Sequence, residues 1–150
     1  MPALTVQSPV GPVTLVEEDG AVIRLLWEEG HTDSTPLLRD AADQIKRYFA
    51  HDLTTFDLKL APKVTPSQQR FLDALIAIPF GETRTYGEMA KDLGISAQAA
   101  GQACGANPIA IIIPCHRVVG TGNLGGFSAA GGIETKVALL KHEGAASLLI

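Results

Sequence analysis

The stretch APKVTP, residues 61 to 66, separates two halves of the chain that have different hydrophobic periodicities. Upstream, "LTVQSPVGPVTLVEEDGAVIRLLWEE" contains three β-rich runs: one before Pro9, one from Val13 to Val16, and one from Ala21 to Trp27 after Glu-Glu-Asp-Gly. Short runs of branched residues closed by Pro, Gly and acidic turn residues predict an antiparallel meander. A helix follows in "TPLLRDAADQIKRYFAHD", where Leu37, Leu38, Ala41, Ala42, Ile45, Tyr48 and Phe49 recur at helical spacing behind a Ser34 or Thr35 cap. "FDLKL" alternates as a short strand. Two prolines then break the pattern, and the boundary falls near Pro62 to Pro66, giving an α/β domain over 1–62 and a second domain over 63–150.

Beyond the break the pattern is helical. "SQQRFLDALIAI" places Phe71, Leu72, Leu75 and Ile76 on one face and stops at Pro79. "TYGEMAKDLG" runs from a Thr cap to Gly94, and "SAQAAGQACGA" from a Ser cap to Asn107-Pro108. Two short helices around a glycine, with a third before them, predict a mainly helical, winged-helix-like helix-turn-helix domain, although an ordinary helical hairpin gives the same pattern. The β-branched run Ile109 to Ile113 predicts a buried extended segment. "GTGNLGGFSAAGG" is a glycine-rich loop, and "IETKVALLKHEG" a last helix stopped at Gly144.

Composition decides less. A chain of 150 residues that is 46% hydrophobic can build its own core, so Cys104 and Cys115 are read as free thiols rather than a staple. There is no secretory leader pattern and no apolar run near the ~18 residues of a membrane span, so a cytoplasmic monomer without membrane partners is expected. The net charge of −4 is uneven: residues 1–62 hold five Lys/Arg against ten Asp/Glu, and residues 63–150 seven against six. The second part makes no strongly basic patch, so nucleic-acid binding is permitted by charge but not indicated by it.

The chemistry concentrates in "IIIPCHRVVG", residues 111 to 120. A thiol becomes nucleophilic when a base or positive charge stabilises its thiolate, and His116 is the adjacent candidate base. Neighbours in an extended segment point to opposite faces, so Cys115 and His116 would communicate through a bridging water or a bend after Pro114. Glu143, in "KHEG", is the carboxylate that could orient the imidazole. Zinc is the first rival, since Cys104, Cys115, His116 and His142 are all ligand types, but the paired ligand spacings are missing and no metal or cofactor is expected. Cys104, on a helix among alanines, reads as a small buried side chain. His31 and His51 read as surface residues, and a thiol hydrolase stays open because Cys with His alone does not exclude it.

With these residues in view, the chain resembles the O6-alkylguanine-DNA alkyltransferases, also called methylated-DNA–protein-cysteine methyltransferases. The matching elements are "IPFGETRTYGEMA", "ANPIAIIIPCHRVVG", "LGGFSAAGG" and "TKVALLKHEG", in family order and spacing over about residues 65 to 145. The resemblance implies an RNase H-like N-terminal domain and a helix-turn-helix that docks double-stranded DNA carrying alkylated bases through the minor groove. It implies base flipping and single-turnover transfer of the alkyl group from O6-alkylguanine, with O4-alkylthymine a second candidate substrate, to Cys115.

By the same resemblance His116 acts as base through a water and Glu143 polarises it. Tyr86 helps guanine leave, Asn107 holds the turn, and Ser128 contacts the guanine oxygen. Ala97, Ala99, Ala100 and Gly101 would give the recognition helix a smooth face. Arg117 is grouped with the substrate-contacting residues, with the expected role of a donor tying its segment to nearby carbonyls or carboxylates. Two positions depart from the pattern. Gln98 stands where the family commonly has an intercalating arginine, and Gly105 where a second basic residue is common. Weaker duplex binding is expected, and a lesion-binding protein without transfer is the alternative.

Overall fold

The computed structural model describes residues 1–127 and 131–145. Its chain divides into two compact units, Met1–Lys63 and Val64–Ile150.

In the first unit, strands β1 (Ala3–Val6), β2 (Val13–Glu18) and β3 (Ala21–Leu26) form an antiparallel sheet in the order β1-β2-β3. Asp19 and Gly20, at φ 51° and 77°, turn β2 into β3; two positive φ values suit the right-handed twist of a tight hairpin. Helix α1 (Pro36–Phe49) starts at Thr35, whose hydroxyl accepts from the Leu38 amide, and packs against the sheet. Its stripe of Leu38, Ala41, Ile45 and Tyr48 is fully buried with Val13, Leu15 and Val22. The strand expected in "FDLKL" shrinks to a single bridge between Leu60 and Val22. Its beginning is drawn elsewhere, because the buried Gln44 amide accepts from the Asp57 amide at 2.8 Å and donates to the Asp57 carbonyl at 3.0 Å.

The second unit is helical. Helices α2 (Pro66–Ile76), α3 (Tyr86–Leu93) and α4 (Ala97–Gly105) are capped by Thr65, Thr85 and Ser96 respectively. Thr85 and Glu88 form a reciprocal capping box, and α3 ends at Gly94 in the left-handed conformation. Helix α4 packs on both α2 and α3, the arrangement of a helix-turn-helix. A two-residue strand, β4 (Arg84–Thr85), pairs in parallel with β5 (Val118–Val119). This pair pins the start of α3 beside the residues that follow Cys115. Helix α5 (Ile133–His142) closes the described chain.

The run Ile109 to Ile113 is buried but not extended. It folds into a tight turn, with the Ile112 amide bonded to the Ala110 carbonyl and the Ile113 amide to the Ile109 carbonyl. Asn107 overrides the β preference of the isoleucines. Its Oδ1 accepts from the Ile109 amide at 3.0 Å and its Nδ2 donates to the Ile113 carbonyl at 2.8 Å, closing the turn from inside. The clamp holds Ile111 at φ 72°, a conformation that costs a β-branched residue about 1–3 kcal/mol. Asn107→Ala should therefore lower stability by about 2 kcal/mol or more, since a buried amide and carbonyl lose their partner. Asn107→Asp, which keeps the acceptor, should lose less. Equal thermal denaturation midpoints for wild type and Asn107→Ala would contradict the clamp.

Candidate active site

The turn ends at Pro114, and the chain then winds into one 3-10 turn, Cys115–Arg117. Three residues per turn spread successive side chains about 120° apart, so Cys115 and His116 diverge. Cys115 lines a cavity of about 680 Å³ together with Tyr86, Gly126 and Phe127. The opposite wall is one face of α4: Ala97, Gly101, Cys104 and Gly105, with Gln98 beside them. Small residues at these positions leave the space that the cavity occupies.

Cys115 is 6% exposed and Cys104 8%. The Cys104 Sγ lies 3.4 Å from the Cys115 carbonyl oxygen, to which it donates. The Cys115 thiol is pulled below the usual cysteine range, first by the hydrogen bond from the Cys104 thiol, then by the Asn107 amide and the Lys136 ammonium, against the opposing effect of burial. Cys104 is pushed up by the same contact, by burial and by the charge of Cys115. The two thiols are thus biased in opposite directions, Cys115 toward ionisation and Cys104 toward keeping its proton.

His116 is fully buried, and its Nε2 lies 2.7 Å from Glu143 Oε2. Arg117 grips the same carboxylate with a fork, Nε to Oε1 at 2.8 Å and Nη2 to Oε2 at 2.9 Å, and sends Nη1 to the Ile78 carbonyl at 2.6 Å. The Gly81 amide adds a bond to Oε1 at 3.3 Å. Gly81 sits at φ 84°, and a Cβ there would come within 3.1 Å of the Glu143 carbonyl oxygen, so any side chain would be strained at this position. Burial holds the imidazole pKa below the usual histidine value, with Glu143 acting in the other direction. A neutral imidazole facing a carboxylate that only accepts must carry its proton on Nε2. Nδ1 is then a buried lone pair with no hydrogen-bond partner among the described residues.

Lys136, fully buried on α5, is the site residue that the sequence reading missed. Its Nζ donates to the Val118 carbonyl at 2.6 Å and the Gly126 carbonyl at 3.0 Å, and lies 5.7 Å from the centre of the Tyr86 ring. It ties β5 to the loop that walls the cavity. A signal was available: Lys136, Leu139, Leu140 and Glu143 fall at i, i+3, i+4 and i+7, placing a lysine on the apolar stripe of its helix. The Tyr86 hydroxyl is pushed up to about 12 by burial and by the nearby thiols, so it remains a donor. Gly125, at φ 71°, lies so close to that ring that a Cβ would meet the hydroxyl at 2.8 Å.

Cys115, Tyr86, Ala97, Gln98 and Gly101 therefore share one cavity, with His116, Glu143 and Asn107 behind the thiol. Three placements differ from expectation. The smooth face is split, because Ala100 is buried in the core and Ala99 faces a second cavity, of about 360 Å³, between α2 and α4. Arg117 takes the expected part of a donor, its guanidinium tying the segment to Glu143 and the Ile78 carbonyl, but it does not line the cavity as its grouping with the substrate-contacting residues implied. Cys104 is buried as expected but stands on the cavity wall rather than among inert neighbours. Ser128 lies outside the described residues. Among the described residues no three His, Cys, Asp or Glu side chains gather as a metal site, and no helix is long and apolar enough to cross a membrane.

Fold and site together define a two-unit protein in which a helix-turn-helix forms one wall of a pocket around a prepared thiol. Residues 66–145 match the family model "6-O-methylguanine DNA methyltransferase, DNA binding domain", and residues 3–62 the ribonuclease-like domain of the same family. The methylated-DNA–protein-cysteine methyltransferase of Mycobacterium tuberculosis is 46% identical over 150 residues, covering 93% of this chain and 90% of that protein. The Methanosarcina acetivorans protein of the same name is 41% identical, covering 92% and 95%. The crystal structure of M. tuberculosis OGT in complex with DNA superposes with a TM-score of 0.87 at 43% identity, covering 97% of this chain and 94% of that one. The chain belongs to the 6-O-methylguanine DNA methyltransferase family, with a ribonuclease-like domain followed by a helical DNA-binding domain.

Three outcomes follow from the geometry. Glu143→Gln leaves the buried Arg117 without its counter-charge and should cost about 3–5 kcal/mol, measured as a lower denaturant midpoint. Iodoacetamide should label Cys115 with a pH midpoint below the ordinary cysteine value while Cys104 stays unlabelled. Lys136→Met, which removes a positive charge near the thiolate, should move that midpoint upward. A midpoint unchanged in Lys136→Met would show that the ammonium does not act on the thiol.

Proposed function

We propose that this protein repairs DNA by taking the alkyl group from the O6 of alkylated guanine onto Cys115, one group per molecule. The observation that carries this reading is the thiol held toward its anion at the floor of a pocket, backed by an imidazole whose Nε2 is committed to Glu143 and whose Nδ1 is uncommitted. In this reading His116 Nδ1 takes the Cys115 proton through a bridging water, and Glu143 stabilises the cation that forms. The thiolate attacks the alkyl carbon in a displacement, forming the C–S bond as the C–O bond breaks. Tyr86, kept protonated, donates to the departing guanine. Water has no good leaving group to displace from the resulting thioether, so the protein is consumed.

Helix α4 would enter the minor groove of double-stranded DNA, and the flipped base would fill the pocket at a cost of a few kcal/mol in lost stacking and pairing. Gln98, exposed near the start of α4, would fill the gap in the stack without the charge or reach of arginine. Ser128 remains the proposed contact to the guanine oxygen. The protein would act as a cytoplasmic monomer, its N-terminal unit a support for the second.

The test is a duplex with one O6-methylguanine, followed by intact mass and peptide mapping. One methyl group on Cys115, stopping at one per molecule and absent in Cys115→Ser, is the expected result. Binding without any mass gain by the folded, reduced protein would overturn transfer in favour of lesion binding, and multiple turnover on esters would favour a hydrolase. Gln98→Arg should raise both duplex affinity and transfer rate; no change in either would remove the proposed role of this position.

A further inference from the structure

We propose that Cys104 is a resolving thiol for Cys115: when a hydroperoxide oxidises Cys115, the two close into a reversible disulfide across the floor of the pocket. The two residues are eleven apart in sequence, on α4 and on the 3-10 turn, and the Cys104 Sγ already touches the Cys115 backbone at 3.4 Å. Both line the same cavity, so a small peroxide that reaches one sulfur reaches the space beside the other. Alkyl transfer leaves Cys104 unused, and the chemistry below does not depend on that reaction.

The electrons and atoms balance as follows. The Cys115 thiolate attacks one oxygen of the peroxide; an S–O bond forms, the O–O bond breaks, and the second oxygen departs as an alcohol or water. Cys115, oxidised by two electrons, is now a sulfenic acid. The Cys104 sulfur attacks the sulfenic sulfur, the S–S bond forms, and the S–O bond breaks. The leaving hydroxide combines with the proton given up by Cys104, so two thiols and one hydroperoxide yield a disulfide, an alcohol and a water.

The same contacts explain why Cys104 is silent until then. It keeps its proton because it donates a hydrogen bond to Cys115, because it is buried, and because a thiolate at Cys115 would oppose a second negative charge beside it. A sulfenic acid is neutral, so a negative charge on Cys115 no longer opposes ionisation of Cys104, while the Lys136 ammonium continues to favour it. Oxidation thereby removes one of the effects that hold the Cys104 proton. Without a resolving thiol a sulfenic acid in an open pocket proceeds to sulfinic and sulfonic acids, which thiol reductants do not reverse.

The experiment treats the full chain with hydrogen peroxide, blocks remaining thiols with iodoacetamide after denaturation, and reads intact mass and peptides without reductant. The expected product is lighter by two hydrogens, takes up no iodoacetamide, and gives a Cys104–Cys115 linked peptide within one chain. Dithiothreitol should restore both thiols. Cys104→Ser, which keeps a hydroxyl donor, should instead gain oxygens on Cys115 that dithiothreitol does not remove, with Cys104→Ala as a second variant and thermal melts to confirm folding. The proposal is overturned if wild type accumulates sulfinic and sulfonic acid as fast as Cys104→Ser, if both recover equally, if no intramolecular linked peptide forms, or if peroxide leaves Cys115 untouched. Because the readout is oxidation mass, failure of methyl transfer would leave this result standing, and the reverse.

Discussion

The Glu143 carboxylate is the interaction on which the second unit is organised. Its side chain is fully out of water and receives hydrogen bonds from His116, from two nitrogens of Arg117 and from the Gly81 amide. A buried anion of this kind is tolerable only when its lone pairs are filled and its charge is matched. The partners come from two places in the chain, the 3-10 turn and the loop after α2, and meet at the end of α5. Filling the carboxylate therefore assembles the site, and the imidazole tautomer is settled as a by-product.

Helix α5 carries this load in an unusual way. Glu143 is its C-cap, where the helix dipole favours a cation, and Lys136 lies two turns earlier, where the dipole offers an ammonium less. The dipole thus assists neither charge. Arg117 compensates the anion, and the Val118 and Gly126 carbonyls with the Tyr86 ring compensate the cation. Each compensation fixes a different piece of the pocket: the first the segment after Cys115, the second the loop opposite it. Placement of charge against local preference is a mark of a site built for geometry rather than for stability.

The sequence made the helices of the second unit and the meander of the first legible because caps, turns and hydrophobic stripes agree there: Thr35, Thr65, Thr85 and Ser96 all accept from the third residue beyond them. It misled where a single side chain outweighed local propensity. Ile109 to Ile113 has strong β preference, yet the two hydrogen bonds of Asn107 fold it into a turn; Gln44 does the same to the start of "FDLKL". Cys115, His116 and Glu143 could be named as partners from residue chemistry, but their contact through Nε2 depends on the turn that composition hides. Ala99 and Ala100 were misplaced because one residue along a helix is a rotation of about 100°, and a run of small residues gives no sign of which face is inward. Lys136 was passed over because a lysine is ordinarily solvated, although its place on the stripe argued otherwise.

The two thiols show how little separates a nucleophile from a bystander. Both are cysteines, both are almost equally buried, and both border the same cavity. Burial alone would raise both and make both inert. The difference is direction: one contact between them lowers the thiol that receives the hydrogen bond and raises the thiol that gives it. Asn107 and Lys136 then reinforce the receiver, and the Asn107 that does so also closes the turn that places Cys115. Reactivity at this position is therefore a property of the folded turn and helix together, and a cysteine moved to any other buried position of α4 would not acquire it.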